Sequence, residues 1–509
     1  MNFKGNIYLV GAGPGDAGLL TLRGAELLRT ADVIISDVLA NPELLHLASP
    51  TAEILKRGNH KRDGGLSQEQ LTELMITHAK AGKTVVRLKG GDPFIFGRGG
   101  EEAEALVANG ISFEVVPGVS SVVAAANYAG IPLTHREHCS SFTVFTGHSD
   151  SADAHTALRY EQIAKIPGTK VVLMGMDNLA DWTKSLIAHG MPAATPVAIV
   201  HRGTTGRQKS VAGTLGTIAD LAARENLQPP AISILGDVVT LRDKLNWFER
   251  KPLFGQRIVV TRRSVQAGTF ATRLTQLGAD VLEVPTIKIT EPTEKMAVVE
   301  ALLELNSYEW LIFTSANGVT AFFDLFFKRF QDMRDLGGAR IAAVGPATAA
   351  KLRELHLQVD LMPEEYLGKK IVAAFKKYQN IENVKMCLLR AEVANKDLPQ
   401  ALTEEGAIVD DIPVYKTVAE TEDRTGAAAR LQEEGANWVT FTSGSTVEHF
   451  HTRFDLPKLM NQFPQLKLAS IGPETTKAIT ALGLKPTLEA KEYTTDGLIE
   501  AIRKFARGQ

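Results

Sequence analysis

The sequence predicts an α/β protein built on mostly parallel sheets, and three observations carry that prediction. Strand-like and helix-like segments alternate along the chain, glycine-rich turns stand where strands give way to helices, and the second half repeats itself. At 509 residues the chain is too long for one hydrophobic core and should divide into about three or four domain-sized units. Its 56 Lys and Arg nearly balance 58 Asp and Glu, a net charge of −2, so no broad basic field invites nucleic acid or an anionic membrane. Any anionic ligand must be held by local groups. Cys139 and Cys387 stand far apart in unlike contexts, which suits a reducing compartment and offers no metal cluster. The N-terminus leads straight into a strand without the apolar core of a signal peptide. No apolar run approaches the ~20 residues of a membrane span, so a soluble cytoplasmic protein is expected.

The first strand, Ile7-Tyr8-Leu9-Val10, runs into Gly11-Ala12-Gly13-Pro14-Gly15-Asp16, then a helix over Leu19 to Arg29 and a strand over Val33-Ile34-Ile35. The turn suggests a dinucleotide site, with Asp37 placed to hold a ribose. Its spacing argues otherwise. Asp16 stands where that pattern needs glycine and would repel a pyrophosphate at a helix N-terminus, while Pro14 removes an amide that could bind one. A glycine-rich site that avoids phosphate suggests a nucleoside or a cationic ligand.

Val85-Val86-Arg87-Leu88 reads as a short buried strand, and a helix begins near Glu101 and continues to Val107. Between them lies Lys89-Gly90-Gly91-Asp92-Pro93-Phe94-Ile95-Phe96-Gly97-Arg98-Gly99-Gly100, at the sheet edge where α/β proteins bind ligands. Glycine there admits positive φ or close backbone approach, at an entropic cost of roughly 0.5–1 kcal/mol each. Val116-Pro117-Gly118-Val119-Ser120-Ser121 is another turn before a helix, Val122 to Tyr128, with Ser120 or Ser121 suited to cap it. Met174-Gly175 and Arg202-Gly203-Thr204 add two more such turns. Turns this far apart in sequence, converging on one crevice, are what a nucleoside cofactor requires.

A charged stretch ending in Pro252 and Gly255 precedes a fresh strand, Arg257-Ile258-Val259-Val260, and marks a seam at about 246–255. Beyond it Gly278-Ala279 matches Gly406-Ala407, Pro285 matches Pro413, and Phe313-Thr314-Ser315 matches Phe441-Thr442-Ser443, each pair 128 residues apart. Val344-Gly345-Pro346 with Ile471-Gly472-Pro473, and Tyr366 with Tyr493, continue the match at 127. A near-constant offset implies two similar α/β lobes, and a cleft between lobes is a preferred ligand site.

The ordered motifs Gly11–Asp16, Gly90-Gly91-Asp92-Pro93, Gly97–Glu102, Val116–Ser121 and Pro132-Leu133-Thr134-His135-Arg136 resemble the uroporphyrinogen-III C-methyltransferases of the tetrapyrrole methylase family. The match covers roughly residues 5–245. It implies two α/β subdomains, about 1–115 and 116–245, usually paired as a homodimer and binding S-adenosylmethionine between them. It also implies two successive methylations of uroporphyrinogen III, giving precorrin-2 for sirohaem and cobalamin. By motif, Pro14, Gly90, Gly91, Asp92, Ile95, Ser120, Ser121, Met174 and Gly203 would contact the cofactor. The substrate carries eight carboxylates, which guanidinium matches best, so Arg98 and Arg136 are its expected partners. The resemblance places a catalytic acid at Asp37 and a lysine near Lys56-Arg57. Glu101, three residues after Arg98, rivals Asp37 as the base. Val38 stands where many relatives have arginine, and Gly58-Asn59-His60-Lys61-Arg62-Asp63-Gly64-Gly65 shifts the spacing after Lys56.

From about residue 256 to 509 the chain is similar to the uroporphyrinogen-III synthases. The carriers are Val259-Val260-Thr261-Arg262, Phe313–Ser315, Val344-Gly345-Pro346-Ala347-Thr348, Pro413-Val414-Tyr415-Lys416-Thr417, Phe441–Ser443 and Ile471–Thr476. That family has two lobes joined by a two-stranded connection, one lobe combining the start and end of the sequence. It closes hydroxymethylbilane with inversion of the last ring, a task of folding the substrate rather than strong acid catalysis. Tyr415 would help the terminal hydroxyl leave. Ser315, Thr348, Ser443 and Thr475 would bind substrate, and no metal is expected. A nicotinamide-dependent dehydrogenase would need a Gly-x-Gly-x-x-Gly turn that is missing here, and a sensor module would bind hydroxymethylbilane without turnover.

Overall fold

The computed structural model describes residues 6–58, 65–147, 159–262, 264–364 and 368–508. Most of the segment after Lys56 that shifts the spacing, and Tyr366, lie outside the described residues. Four five-stranded sheets with helices between their strands make the chain α/β. The first sheet contains β1 (Ile7–Gly11), β2 (Val33–Ser36), β3 (Glu53–Lys56), β4 (Val85–Lys89) and β5 (Phe113–Val116), in the order β3-β2-β4-β1-β5. Every pairing is parallel, so all five strands finish at one edge. Ile7, Leu9, Val33, Ile35 and Val85 are wholly buried against the helices Gln68–Lys80 and Gly99–Ala108. Side chains of that size contribute about 1.5–3 kcal/mol each when fully buried.

The second sheet is mixed, with β6 (Phe142–Thr146), β7 (Thr169–Leu173), β8 (Pro196–His201), β9 (Lys209–Thr214) and β10 (Ala231–Leu235) in the order β6-β7-β10-β8-β9. Since β10 runs against both neighbours, β6, β7 and β8 share a direction and finish together.

The segment 246–255 is packed. Phe248 and Leu253 are buried, Trp247 donates its ring N–H to the Asn127 carbonyl at 3.0 Å, and Tyr128 meets Phe248 at 4.7 Å between ring centroids. Glu249 accepts from Gln208, Ser210, Arg242 and Asn246.

The third sheet joins β11 (Arg257–Val260) and β12 (Asp280–Glu283) to strands from the chain's end, β18 (Trp438–Phe441), β19 (Lys467–Ser470) and β20 (Leu488–Glu489), in the order β12-β11-β18-β19-β20. The fourth contains β13 (Ile287–Thr290), β14 (Trp310–Phe313), β15 (Arg340–Ala343), β16 (Lys385–Ala391) and β17 (Ile408–Ala419), in the order β13-β17-β16-β14-β15. An antiparallel pair of β13 with the end of β17 flanks its parallel part. The two sheets have the same plan, β12-β11-β18-β19 corresponding to β17-β16-β14-β15. The repeat does not coincide with the sheets, however. Each copy places two of its five strands in one sheet and three in the other, which is why the 128-residue offset links β11 to β16 and also β14 to β18. The chain forms two compact units, Met1–Pro285 with Glu422–Gln509, and Thr286–Thr421. Among the described residues no helix is long and apolar enough to cross a membrane.

Candidate active site

The finishing edge of the first sheet gathers the ends of β1, β4 and β5. Gly13 and Gly91 exchange backbone hydrogen bonds, and Gly118 comes so close that a Cβ on it would stand 2.2 Å from the Gly91 carbonyl oxygen. Gly91 itself has φ +68°. Only glycine permits this approach of three strand ends. Asp92 braces the loop, its two carboxylate oxygens accepting from the amides of Phe94 at 2.9 Å and Gly118 at 3.0 Å. Ser120 caps the helix Ser121–Tyr128 by accepting from Val122 N, which leaves Ser121 as its first residue.

Strain concentrates here. Five of the nine described non-glycine residues with positive φ, Phe96, Arg98, Met174, Arg202 and Thr204, stand on loops that leave β4, β7 and β8. Each costs of order 1–3 kcal/mol, and such strain collects at working sites. The same loops expose Phe94, Ile95, Phe96 and Met174, the last at 51 %. Gly15, next to Pro14, lies against Thr204 and Thr205, Asp16 N donates to Thr204 Oγ1 at 3.0 Å, and Gly203 lies against Ala125. The turn after β1 thus meets the turn after β8. Asp16 caps the short turn Ala17–Leu19 and accepts from Tyr128 Oη at 2.7 Å, keeping a negative charge where a phosphate would have to sit.

Behind the edge lies a buried charge network. Arg87, wholly buried on β4, donates to Asp37 Oδ1 at 2.5 Å and to Glu102 Oε1 at 3.3 Å. Lys89 Nζ meets Glu102 Oε2 at 2.9 Å, and Gln68 donates to Oε1 at 2.8 Å. Burial alone would raise the Asp37 carboxyl, but Arg87, Lys89 and Arg57 together hold it below the usual carboxylate value. Burial and the neighbouring Arg87 also lower the Lys89 ammonium.

Several expectations change. Arg57, just past the end of β3, meets Asp37 at 3.4 Å, while Lys56 Nζ lies against Gly426. Arg98 and Glu101 do come together, Nη2 to Oε2 at 2.5 Å, as a half-exposed pair that opens the helix Gly99–Ala108. Arg136 is exposed and makes no ion pair with the described residues. Arg87, Arg57 and Glu102 escaped the sequence reading. Arg87 stood in a strand read as buried, while Lys89, read as the first residue of the loop, continues β4 on the same face; two buried cations require an acid nearby.

In the second half, Tyr415 Oη and Ser315 Oγ are 3.0 Å apart, a hundred residues apart in sequence. Ser315 also caps the helix Ala316–Arg329 through Gly318 N, and Ser443 caps Gly444–Phe454 through Thr446 N. Thr348 and Thr475 lie in the first turns of Pro346–Glu354 and Pro473–Ala481 at 3 % exposure each, which leaves little of either for a substrate to touch.

Residues 6–219 match the tetrapyrrole (corrin/porphyrin) methylases, and residues 268–500 match uroporphyrinogen-III synthase HemD. A porphyrin biosynthesis protein HemD of Ruminiclostridium josui is 37 % identical over 505 residues, covering 99 % of both chains. A uroporphyrinogen-III C-methyltransferase of Bacillus subtilis is 38 % identical over 75 % of this chain and 78 % of its own. An S-adenosyl-L-methionine-dependent uroporphyrinogen III methyltransferase of Methanosarcina barkeri is 47 % identical over 47 % of this chain and 94 % of its own. With its strained, glycine-lined edge in the matched methylase region and its two like-ordered sheets in the synthase region, the chain belongs to the HemD proteins in which a tetrapyrrole methylase precedes a uroporphyrinogen-III synthase.

Proposed function

We propose that the chain is a bifunctional enzyme of tetrapyrrole synthesis. The C-terminal half closes hydroxymethylbilane to uroporphyrinogen III with ring inversion and loss of water. The N-terminal half methylates uroporphyrinogen III twice, giving precorrin-2. The observation that carries the reading is the pairing itself: one chain, related along its whole length to a HemD protein, holds the maker of a substrate and its consumer.

The residues at the methylase edge fit S-adenosylmethionine. Gly11 and Gly118 approach with no side chain between them, Ile95 and Met174 offer apolar surface to a nucleoside, and Pro14 with Asp16 disfavours phosphate. Pro14, Gly90, Gly91, Asp92, Ile95, Ser120, Ser121, Met174 and Gly203 would hold it, and when bound it supplies an electrophilic methyl. Arg98 and Arg136 would bind carboxylates of the macrocycle. As a ring carbon accepts the methyl group, the pyrrole gains positive charge, which the ionised Asp37 stabilises. Asp37 is held by Arg87 and Arg57, so the half-exposed Glu101 is assigned the proton that leaves the ring.

In the synthase half the Tyr415–Ser315 hydroxyl pair would donate a proton to the terminal hydroxyl, which leaves as water while electrons from its pyrrole form the exocyclic double bond and the pyrrole N–H proton returns to the pair. Cytoplasmic location and a homodimer formed through the methylase half complete the proposal; sedimentation of the full chain at monomer mass would remove the dimer. The activities are tested anaerobically with hydroxymethylbilane, with and without S-adenosylmethionine. Type III product without cofactor and a dimethylated product with it are expected, and type I product alone would refute the synthase.

A further inference from the structure

A second cluster of ligating groups lies away from the methylase edge. Glu43 and His46 stand three residues apart on the turn Pro42–Leu47, and Glu283 comes from the end of β12. One carboxylate oxygen of each acid and one imidazole nitrogen all lie within 4.8 Å of one another. Glu-x-x-His on a helical turn presents both side chains to one side, a spacing that metal-binding helices use.

Two observations point to a missing cation. Glu43 Oε2 and His46 Nε2 are closed off from solvent and lack a well-formed hydrogen bond, although they are 3.2 Å apart. Arg430 Nη2 holds the other oxygen of Glu43 at 3.2 Å, which turns Oε2 toward the cluster. The Glu283 carboxylate lies beside Glu43, so two acids converge on the one imidazole. His46, Arg424 and Arg430 are the cations close by.

We infer that Glu43, His46 and Glu283 bind one divalent transition-metal ion, clipping the methylase region to the third sheet of the same compact unit. One imidazole and two carboxylates with a water completing the shell suit Zn²⁺. Tetrahedral bonds of about 2.0–2.2 Å set ligand atoms roughly 3.4 Å apart, so the three side chains need close by only about an ångström. The ligands come from the two enzyme regions, so the site exists only where both are joined.

The full chain, stripped with a chelator, is titrated with Zn²⁺ by calorimetry. One ion per chain is expected, with affinity weakened at least about tenfold in both His46→Ala and Glu283→Gln. His138→Ala, which removes one ring of the His135–His138 pair (centroids 4.9 Å apart), should leave binding unchanged. Zn²⁺ should raise the melting temperature of the parent chain and not of the two cluster variants. Absence of saturable binding, or binding that both cluster variants retain, would overturn the site, as would loss of binding in His138→Ala. If His46→Ala fails to fold, Glu283→Gln decides alone.

Discussion

The finishing edge of the first sheet and the strand ends of the synthase region hold their polar groups in opposite ways. At the first, charges are buried and shared: Glu102 lies between Arg87 and Lys89, and Arg87 reaches on to Asp37. At the second, the groups are neutral hydroxyls that double as helix caps, Ser315 and Ser443, with Tyr415 bonded to one of them. The two chemistries explain the difference. Methyl transfer puts charge onto the substrate and needs fixed counter-charge, whereas ring closure with inversion needs the substrate folded. A buried charge network fails when one member is removed; neutral hydroxyls are worth about 1 kcal/mol each and degrade gradually.

That contrast can be broken at its strongest point by Arg87→Met. Removing the guanidinium leaves Glu102 and Asp37 short of positive charge, and a loss of about 3–5 kcal/mol is expected in denaturant unfolding, with methylation abolished. Stability within 1 kcal/mol of the parent, on the same ~1 kcal/mol scale as a single hydrogen bond, would mean the network carries little. Arg98→Ala comes next. Methylation should fall about a hundredfold while S-adenosylhomocysteine binding, read by calorimetry, changes less than about threefold; loss of binding with intact chemistry would reassign the arginine to the cofactor.

Tyr415→Phe should slow closure to the type III isomer by only about 3–10-fold, the worth of one neutral hydrogen bond, as seen in an anaerobic product assay. An unchanged rate and isomer ratio would remove Tyr415 from the chemistry. The smallest effect concerns acid. Because the folded Asp37 carboxyl sits below its ordinary value of about 3.9, the stability it adds is present above that value and is lost as pH falls through the folded one. Stability profiles of the parent and of Asp37→Asn should therefore converge toward low pH, and parallel profiles would contradict the pairing with Arg87.

What the sequence made legible is local. Strands such as Ile7–Gly11 and Val85–Lys89 announce themselves as apolar runs, and the turns after them by glycine, proline and acid. The repeat revealed two like sheets but not their composition, because strand exchange between copies is a long-range fact that a constant offset cannot express. The site followed the same division. Gly90, Gly91 and Asp92 were read from their own loop, and Arg98 with Glu101 from one helical turn. Arg57 meets Asp37 across 20 residues, and Glu102 meets Arg87 and Lys89 across separations of 15 and 13 residues. Thr348 and Thr475 were read as binding groups, yet the first turn of a helix points its third residue inward as readily as outward.

The central claim is that methyl transfer depends on an ionised carboxylate fixed by Arg87 and that ring closure does not. Asp37→Asn keeps the shape and removes the charge. Both activities should be measured on that one full-length preparation, anaerobically, from hydroxymethylbilane with S-adenosylmethionine present. Methylation reduced about a hundredfold or more, with type III closure within about twofold of the parent, is the expected result, since one lost transition-state charge contact of about 2.7 kcal/mol or more gives that factor. Methylation that survives the substitution, or both activities falling together, would contradict the account.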